Sequence, residues 1–581
     1  MKYLAPIIVL SALFLAVTSL WNDSFIVDEI PHVGAGYSYV VKGDYRLNPE
    51  HPPLAKDAAG LALSLLPVNQ SAFNTKFWTD DVNGQWNFGR NLIYNSGNNA
   101  DLITRVAKLP MLLFFLLAAF MVHKWSKKMY GPKTAVLALF LFSFSPTVIA
   151  HSRFVTTDMA ALFGILFASY FFIEFLKKQK TTNMWLSGLF FGIALLCKFS
   201  AVLLVPFFLI LAVLKRPILK NLTRTILIFI IGTVFIVWPV YALHVQNYPP
   251  EKQKFDTQTI LGDIYGTNIK ASTKIVLDSV IWASDKTLTR PFAQYALGLL
   301  RVTHQTSEPH DIYFRGEIYK YGVRSYFPTV YLIKEPLVWW MLVLAAVLFL
   351  GFSVKKQRPK NDIIRKMLRD HFTETAMLLW LAIYWTTSIR GTLNIGVRHL
   401  LPVYPFAIIL VSGQMFGIGR EAQKRGRKLF LAFACFLTAV LGWYMFENLR
   451  VYPYYLSYFN QIAGGPSGGY RFVADSNLDW GQDLKRLSKY VEEQRINKIE
   501  LDYFGWADQQ WYLGNKFVYV SSKTYRNLEN FKQRNGSNGW IAVSATFLTG
   551  SYQGNLDDYA WLRAIPPTAV IGNSIFVWHI K

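Results

Sequence analysis

Eleven apolar runs, each long enough or nearly long enough to cross a hydrocarbon core of about 30 Å, constrain this chain more than any other feature. They fall at residues 4–21, 105–123, 134–150, 159–176, 182–197, 199–214, 223–244, 331–353, 373–389, 400–418 and 429–446. In lipid every backbone N–H and C=O must be satisfied within the segment, so runs of this kind fold as helices. The gaps between them alternate in character. One set, residues 124–133, 177–180, 215–224, 355–369 and 420–428, is short and basic; with Lys2 it carries 24 Lys and Arg against three acids in it or next to it, Asp362, Asp370 and Glu421. Positive charge is biased toward the cytoplasmic side, so these gaps face inward. Most of the net charge of +24 is therefore a topology signal and calls for no nucleic acid as partner. With 52% hydrophobic and only 17% charged residues, the composition also excludes a soluble nucleic-acid binder and a disordered chain.

An inward amino terminus and eleven crossings leave the carboxyl terminus outside. The first run follows Lys2 as a signal sequence would, but Trp21-Asn22-Asp23-Ser24 offers no small-residue cleavage site, and an uncleaved anchor is expected. Three large exterior pieces remain: loops 22–104 and 245–330, and the region 447–581. In the last, strand-like runs at 498–504, 516–521, 540–547 and 574–580 and a helix over 482–493 predict a small α/β domain. The fold class expected is thus mainly α: a polytopic membrane protein of about 11 transmembrane helices (1–446) with large exterior loops and a C-terminal exterior α/β domain (447–581). Cys197 and Cys435 lie at or in helices, so no exterior disulfide framework is available.

The first exterior loop opens on Val27-Asp28-Glu29-Ile30-Pro31-His32 directly after a helix and continues to His51-Pro52-Pro53-Leu54-Ala55-Lys56. An acidic pair at a helix exit sits where the head group of a lipid-borne substrate lies, between dry protein and water. Desolvation there raises a carboxylate's pKa and makes it a usable base. Adjacent helical residues point about 100° apart, so Asp28 and Glu29 cannot flank one bond; one does chemistry while its neighbour orients something. The plainer alternative is an acidic helix cap. Asp28, Glu29 and His32, or His304, Glu308 and His310, are thin sets for a metal, and none is assigned.

The acidic pair, the glycine and aromatic spacing of Gly34-Ala35-Gly36-Tyr37, and the His51-Pro52-Pro53-Leu54-Ala55-Lys56 run resemble protein O-mannosyltransferases and lipid A aminoarabinose transferases. Both belong to the type C glycosyltransferase superfamily. His151-Ser152-Arg153-Phe154-Val155-Thr156-Thr157-Asp158, Leu196-Cys197-Lys198-Phe199-Ser200, Tyr326-Phe327-Pro328 with Lys334-Glu335-Pro336, and Gly396-Val397-Arg398-His399 are similar to the exterior motifs of bacterial members. The resemblance covers about residues 1–446. It implies sugar transfer, with inversion, from a polyprenyl-phosphate carrier to a protein, lipid or glycan acceptor outside the membrane. It also implies a general base at Asp28 supported by Glu29, no cofactor beyond the lipid-linked donor, and residence in a bacterial inner (cell) membrane. Where eukaryotic mannosyltransferases carry an acid two residues before the His-Pro-Pro run, this chain has Pro49, with Glu50 beside it.

A leaving phosphate needs cations at the exterior face, and guanidinium forks and ammonium groups supply them. Arg398 with His399, Lys334, Lys198 and Arg153 are placed there, and with His51, Lys56 and Asp158 they form the substrate-binding candidates. Each is also explained by a side chain snorkelling to the interface, and Asp158 by an ion pair with Arg153. The segment Asp475-Ser476-Asn477-Leu478-Asp479-Trp480-Gly481-Gln482-Asp483 resembles one in bacterial members without an assigned role; it fails as a calcium loop, and Asp479 reads as a helix cap. A transporter or flippase of a lipid-linked or small substrate is the alternative class. It would bury charge at mid-span and show internal repeats, and neither is visible.

Overall fold

The computed structural model describes residues 3–266, 270–356, 369–536, 538–552 and 554–581. Lys2 and most of the basic gap 355–369 lie outside the described residues. Every expected apolar run falls on a helix or a broken helix. By length and hydropathy, five described helices can cross a membrane, or seven if each of two bent pairs is one span, which makes this an integral membrane protein. Shorter apolar helices at Leu4–Leu20, Thr181–Cys197 and Phe199–Leu214 account for further expected runs.

Burial separates the axis of the bundle from its perimeter. The apolar window of Thr157–Lys178 is 94% buried, and that of Arg427–Val451 only 11%, so the first is wrapped by neighbours and the second faces outward. Two helices break where proline forbids continuation. Pro132–Ser143 and Pro146–Ser152 meet at 63°, the second capped by the Ser145 side chain on the Val148 N–H. Tyr326–Lys334 and the following helix from Leu337 meet at 111° across an extended Glu335. The expected span 331–353 therefore begins later, and Lys334 closes a short helix instead of opening the span.

Loop 22–104 is helical and folds against the bundle. Its helices Glu29–Lys42 and Leu54–Ser64 cross backbone to backbone: a Cβ on Gly36 would stand 2.1 Å from the Lys56 carbonyl oxygen, and one on Gly60 2.1 Å from that of Gly36. Loop 245–330 forms three helices, Pro250–Tyr265, Ala271–Ala283 and Arg290–Gln305, and a hairpin, Ile312–Phe314 with Glu317–Tyr319. The hairpin turns at Arg315 and Gly316, both at positive φ, as a two-residue turn requires.

Residues beyond Val451 include a five-stranded sheet in the order Phe517–Tyr519, Ile499–Asp502, Gly539–Ser544, Ile575–Ile580, Ala569–Ile571. The first three strands run parallel and the last two pair antiparallel. The short edge strand Ala569–Ile571 is an addition to the expected four, and the helix begins at Leu484. Asp479 does not cap the following helix, whose N-cap position is Asp483. It is buried, and its Oδ2 accepts from the Thr546 N–H at 2.9 Å, in the first turn of the short helix Ala545–Leu548 that follows the central strand.

Gly60→Leu is expected to cost about 1–3 kcal/mol or more through overpacking at the helix crossing. Thermal unfolding of the purified protein checks this, and an unchanged midpoint would contradict the crossing.

Candidate functional site

Backbone hydrogen bonds deliver Asp28 to its position. Ser24 N–H donates to the Gln482 carbonyl at 3.0 Å and Val27 N–H to that of Trp480 at 2.9 Å. The Ser24 hydroxyl donates to the Gly481 carbonyl at 2.8 Å. The first loop is thus strapped to the segment 480–482 in the four residues before Asp28, which immediately precedes helix Glu29–Lys42.

The neighbouring acids then part company, as helical geometry demands. Glu29 is fully buried: its carboxylate accepts from the Ile26 and Val155 N–H groups at 2.9 and 2.8 Å and pairs with the Lys108 ammonium at 3.1 Å. Burial raises its pKa, against the pull of Lys108 and the two amides. Asp28 faces the other way, and its Oδ2 accepts from Arg398 Nη1 at 2.8 Å. The same Nη1 lies 3.5 Å from Asp158 Oδ2, while Lys198 Nζ pairs with Asp158 Oδ1 at 2.5 Å. Two carboxylates and two cations form one chain of contacts. The Asp28 side chain is 24% exposed and that of Asp158 only 1%, so Asp28 is the carboxylate that a solute can reach.

Trp480 forms the floor beneath Arg398, its ring 4.1 Å from Cζ of the guanidinium. The Arg398 loop is held by the same segment: Val397 N–H donates to Asn477 Oδ1 at 2.9 Å, and the Ser476 hydroxyl to the Ile395 carbonyl at 2.8 Å. Buried polar atoms without a hydrogen-bond partner gather here, including Arg398 Nε, His399 Nε2, His151 Nδ1, Asp158 Oδ2 and Ser200 Oγ. Buried polar atoms are normally satisfied, so such a concentration marks a place built to receive a polar ligand. Asp475 borders it, with burial pushing its pKa up to about 6 against the opposing charge of Arg398. Burial holds His32 and His51 below the usual imidazole range, His51 far below, so both are neutral near pH 7. Their rings meet edge to face at 5.1 Å, and His32 Nδ1 bonds the Val155 carbonyl at 2.7 Å.

The remaining expected cations point into the fold. Lys56 is fully buried and donates to the Asn48 carbonyl and Oδ1, both at 2.9 Å, and to the His51 carbonyl at 2.7 Å. Burial lowers its pKa to about 7, yet three close acceptors require the three N–H groups that only the ammonium has. Lys334 donates to the Leu456 and Asn477 carbonyls, each at 2.7 Å. Arg153 pairs with Asp23, which also binds Arg486 at 2.7 Å, and it donates to the Ser19 carbonyl at 3.1 Å. The expected ion pair of Asp158 is made with Lys198 and Arg398 in place of Arg153. Glu50 accepts from Gln85 and lies 3.7 Å from Arg301. Among the described residues no group of three or more His, Cys, Asp or Glu is arranged to hold a metal. Lys108, Asn477 and Trp480 escape sequence reasoning. Lys108 sits inside an apolar run, and the other two lie in the motif that carried no assigned role.

Residues 103–241 match the family described as dolichyl-phosphate-mannose-protein mannosyltransferase. The match spans about a quarter of the chain and includes Lys108, Arg153, Asp158 and Lys198. The resemblance read from the sequence is therefore shown over that segment. Among solved structures, the chain is similar to the Archaeoglobus fulgidus oligosaccharyltransferase in its apo form at 12% identity, over 95% of this chain and 71% of that one, with a TM-score of 0.48. It is similar to ArnT from Cupriavidus metallidurans at 13% identity, over 98% and 97% of the chains, with a TM-score of 0.32. To the S. cerevisiae protein O-mannosyltransferase Pmt1-Pmt2 complex bound to the sugar donor, the similarity is 19% identity over 42% of this chain and 34% of that one, with a TM-score of 0.32. No curated protein sequence matches the chain.

Glu29→Gln is expected to destabilise the protein by about 3–5 kcal/mol, because it leaves Lys108 charged and unpaired in a dry site. Asp28→Asn, at a partly exposed position and with Asp158 still facing Arg398, is expected to cost less. Thermal unfolding of the two variants side by side checks the division, and equal losses would contradict it.

Proposed function

We propose that this chain is a membrane glycosyltransferase that moves a sugar from a polyprenyl-phosphate carrier to an acceptor hydroxyl on the exterior face, with inversion. The observation that carries the reading is the placement of the accessible Asp28 carboxylate within one contact chain with Arg398 and Lys198. A single displacement needs one base and cations for the leaving phosphate, and no covalent nucleophile on the enzyme. In the proposed step the acceptor oxygen attacks the anomeric carbon and its proton passes to Asp28. The bond from that carbon to the phosphate oxygen breaks, and the polyprenyl phosphate leaves with its charge on Arg398 and Lys198.

Glu29 supports the base indirectly by fixing the loop on Lys108 and Val155. His399 and His151 line the site with unpartnered ring nitrogens, and His51 stands behind His32. Lys56, Arg153 and Lys334 act by holding the loops and the 475–482 segment in place. The family match supports the donor class, since the matched family is described by a polyprenyl-phosphate sugar and by protein acceptors. The sugar and the acceptor of this chain are left open among hexoses and pentoses, and among protein, lipid and glycan hydroxyls. The proposed setting is a bacterial cell membrane, with 1–446 as the membrane body and 447–581 as an exterior domain.

Sugar transfer from labelled polyprenyl-phosphate mannose in membranes, compared between wild type and Asp28→Asn at matched expression, tests the proposal. A loss of about 10²–10⁴-fold in the variant is expected for removal of the base. Undiminished transfer would place the base elsewhere, and no transfer by wild type from carriers of several sugars would refute the class.

A further inference from the structure

The pairing of Asp28 with Arg398 sets a problem for the reading above, on which this inference rests. A carboxylate oxygen that accepts from a guanidinium at 2.8 Å is not free to take a proton from an acceptor hydroxyl, and the same guanidinium is no longer free for a phosphate. As it stands, the base is masked and half of the phosphate site is filled by the base. Lys198 can meet the phosphate with its remaining N–H donors, but its pairing with Asp158 at 2.5 Å does nothing to release Asp28 from Arg398.

Arg398 itself is built to change partners. Its Nε is buried with no hydrogen-bond partner, and its second carboxylate contact, to Asp158, is a looser 3.5 Å. The guanidinium lies 4.1 Å over the Trp480 ring, a surface on which a cation slides without losing its attraction to the π face. Trp480 is fixed in turn: its N–H donates to Gln482 Oε1 at 2.9 Å and its carbonyl accepts from Val27, the residue before Asp28. A rigid aromatic floor therefore lies under a side chain whose polar contacts are incompletely satisfied.

We infer that Arg398 is exchanged between Asp28 and the phosphate of the donor, so that Asp28 is unmasked as a base only when the donor is bound, with Trp480 as the positioning residue for the exchange. No covalent bond changes in this step. Arg398 Nη1 leaves Asp28 Oδ2 for a phosphate oxygen, and the freed carboxylate turns to the acceptor hydroxyl. The acceptor alone then meets a masked base, and donor binding precedes productive acceptor binding.

Competition for one guanidinium has a measurable sign. The purified full-length protein is titrated with a polyprenyl monophosphate that carries no sugar. Asp28→Asn removes the competing charge and is expected to bind this probe about tenfold more tightly than wild type, the scale of one charge-assisted contact. In an Arg398→Gln background the same substitution is expected to change nothing. Trp480→Leu is expected to erase the gain from Asp28→Asn, and Trp480→Phe to keep it; a merely structural Trp480 would weaken all variants alike. Equal or weaker binding by Asp28→Asn, or an undiminished gain without Arg398, overturns the exchange while the glycosyltransferase reading stands. Absence of binding in every variant, each with a normal unfolding midpoint, overturns both.

Discussion

The site depends on one short clasp. Residues 475–482 hold the loop before Asp28 through the Trp480 and Gln482 carbonyls, and the loop before Arg398 through Asn477 and Ser476. Asp28 and Arg398 are 370 residues apart in sequence and meet at 2.8 Å. Neither loop is a regular element at that point, and neither has enough local structure to set its own position to a few tenths of an ångström. A third segment bonded to both supplies the geometry, which is how a reacting constellation is held on otherwise adaptable loops.

Around the clasp the fold buries several charges, and most of them meet a partner. Glu29 and Lys108 are both fully buried and pair with each other; Asp23 takes two arginines; Lys56 and Lys334 are met by carbonyls. A buried ion that loses its partner is costly, whereas the intact pair contributes little net stability. These networks are better understood as devices of specificity. They allow the first loop, the turn at Val155 and the clasp to dock in one arrangement only. The unpartnered nitrogens of Arg398, His399 and His151 differ from other such atoms in lying beside the accessible Asp28 and the Asp158–Lys198 pair. They are the place where the fold leaves capacity for a ligand.

Much of this was readable from the chain, and the reasons differ residue by residue. The apolar runs located the helices because hydropathy is averaged over many residues. The divergence of Asp28 and Glu29 followed from the helical angle between neighbours, although which of them turned inward did not. Arg398 was visible as a charge in a gap expected on the exterior side, against the bias of the basic gaps. Arg153 and Lys334 were visible for the same reason and Lys56 as the end of the His51–Lys56 run, but no spacing rule announces their partners: Asp23 for Arg153, the Leu456 and Asn477 carbonyls for Lys334, and Asn48 with the His51 carbonyl for Lys56. Lys108 was hidden by its apolar neighbours. The Asp475–Asp483 motif was conspicuous and mute, since its meaning lies in contacts with residues 24–27 and 395–397. Asp479 illustrates the limit: a cap by local pattern, it is instead a tertiary tie to Thr546.

On the proposed reading Asp28 acts as the base of a single displacement and no enzyme nucleophile takes part. The stereochemistry of transfer tests that most directly. The anomeric configuration of the product formed from a polyprenyl-phosphate sugar of defined anomer, read by nuclear magnetic resonance, is expected to be inverted relative to the donor. Retention of configuration would require a covalent or two-step route and would contradict the account of Asp28 as base.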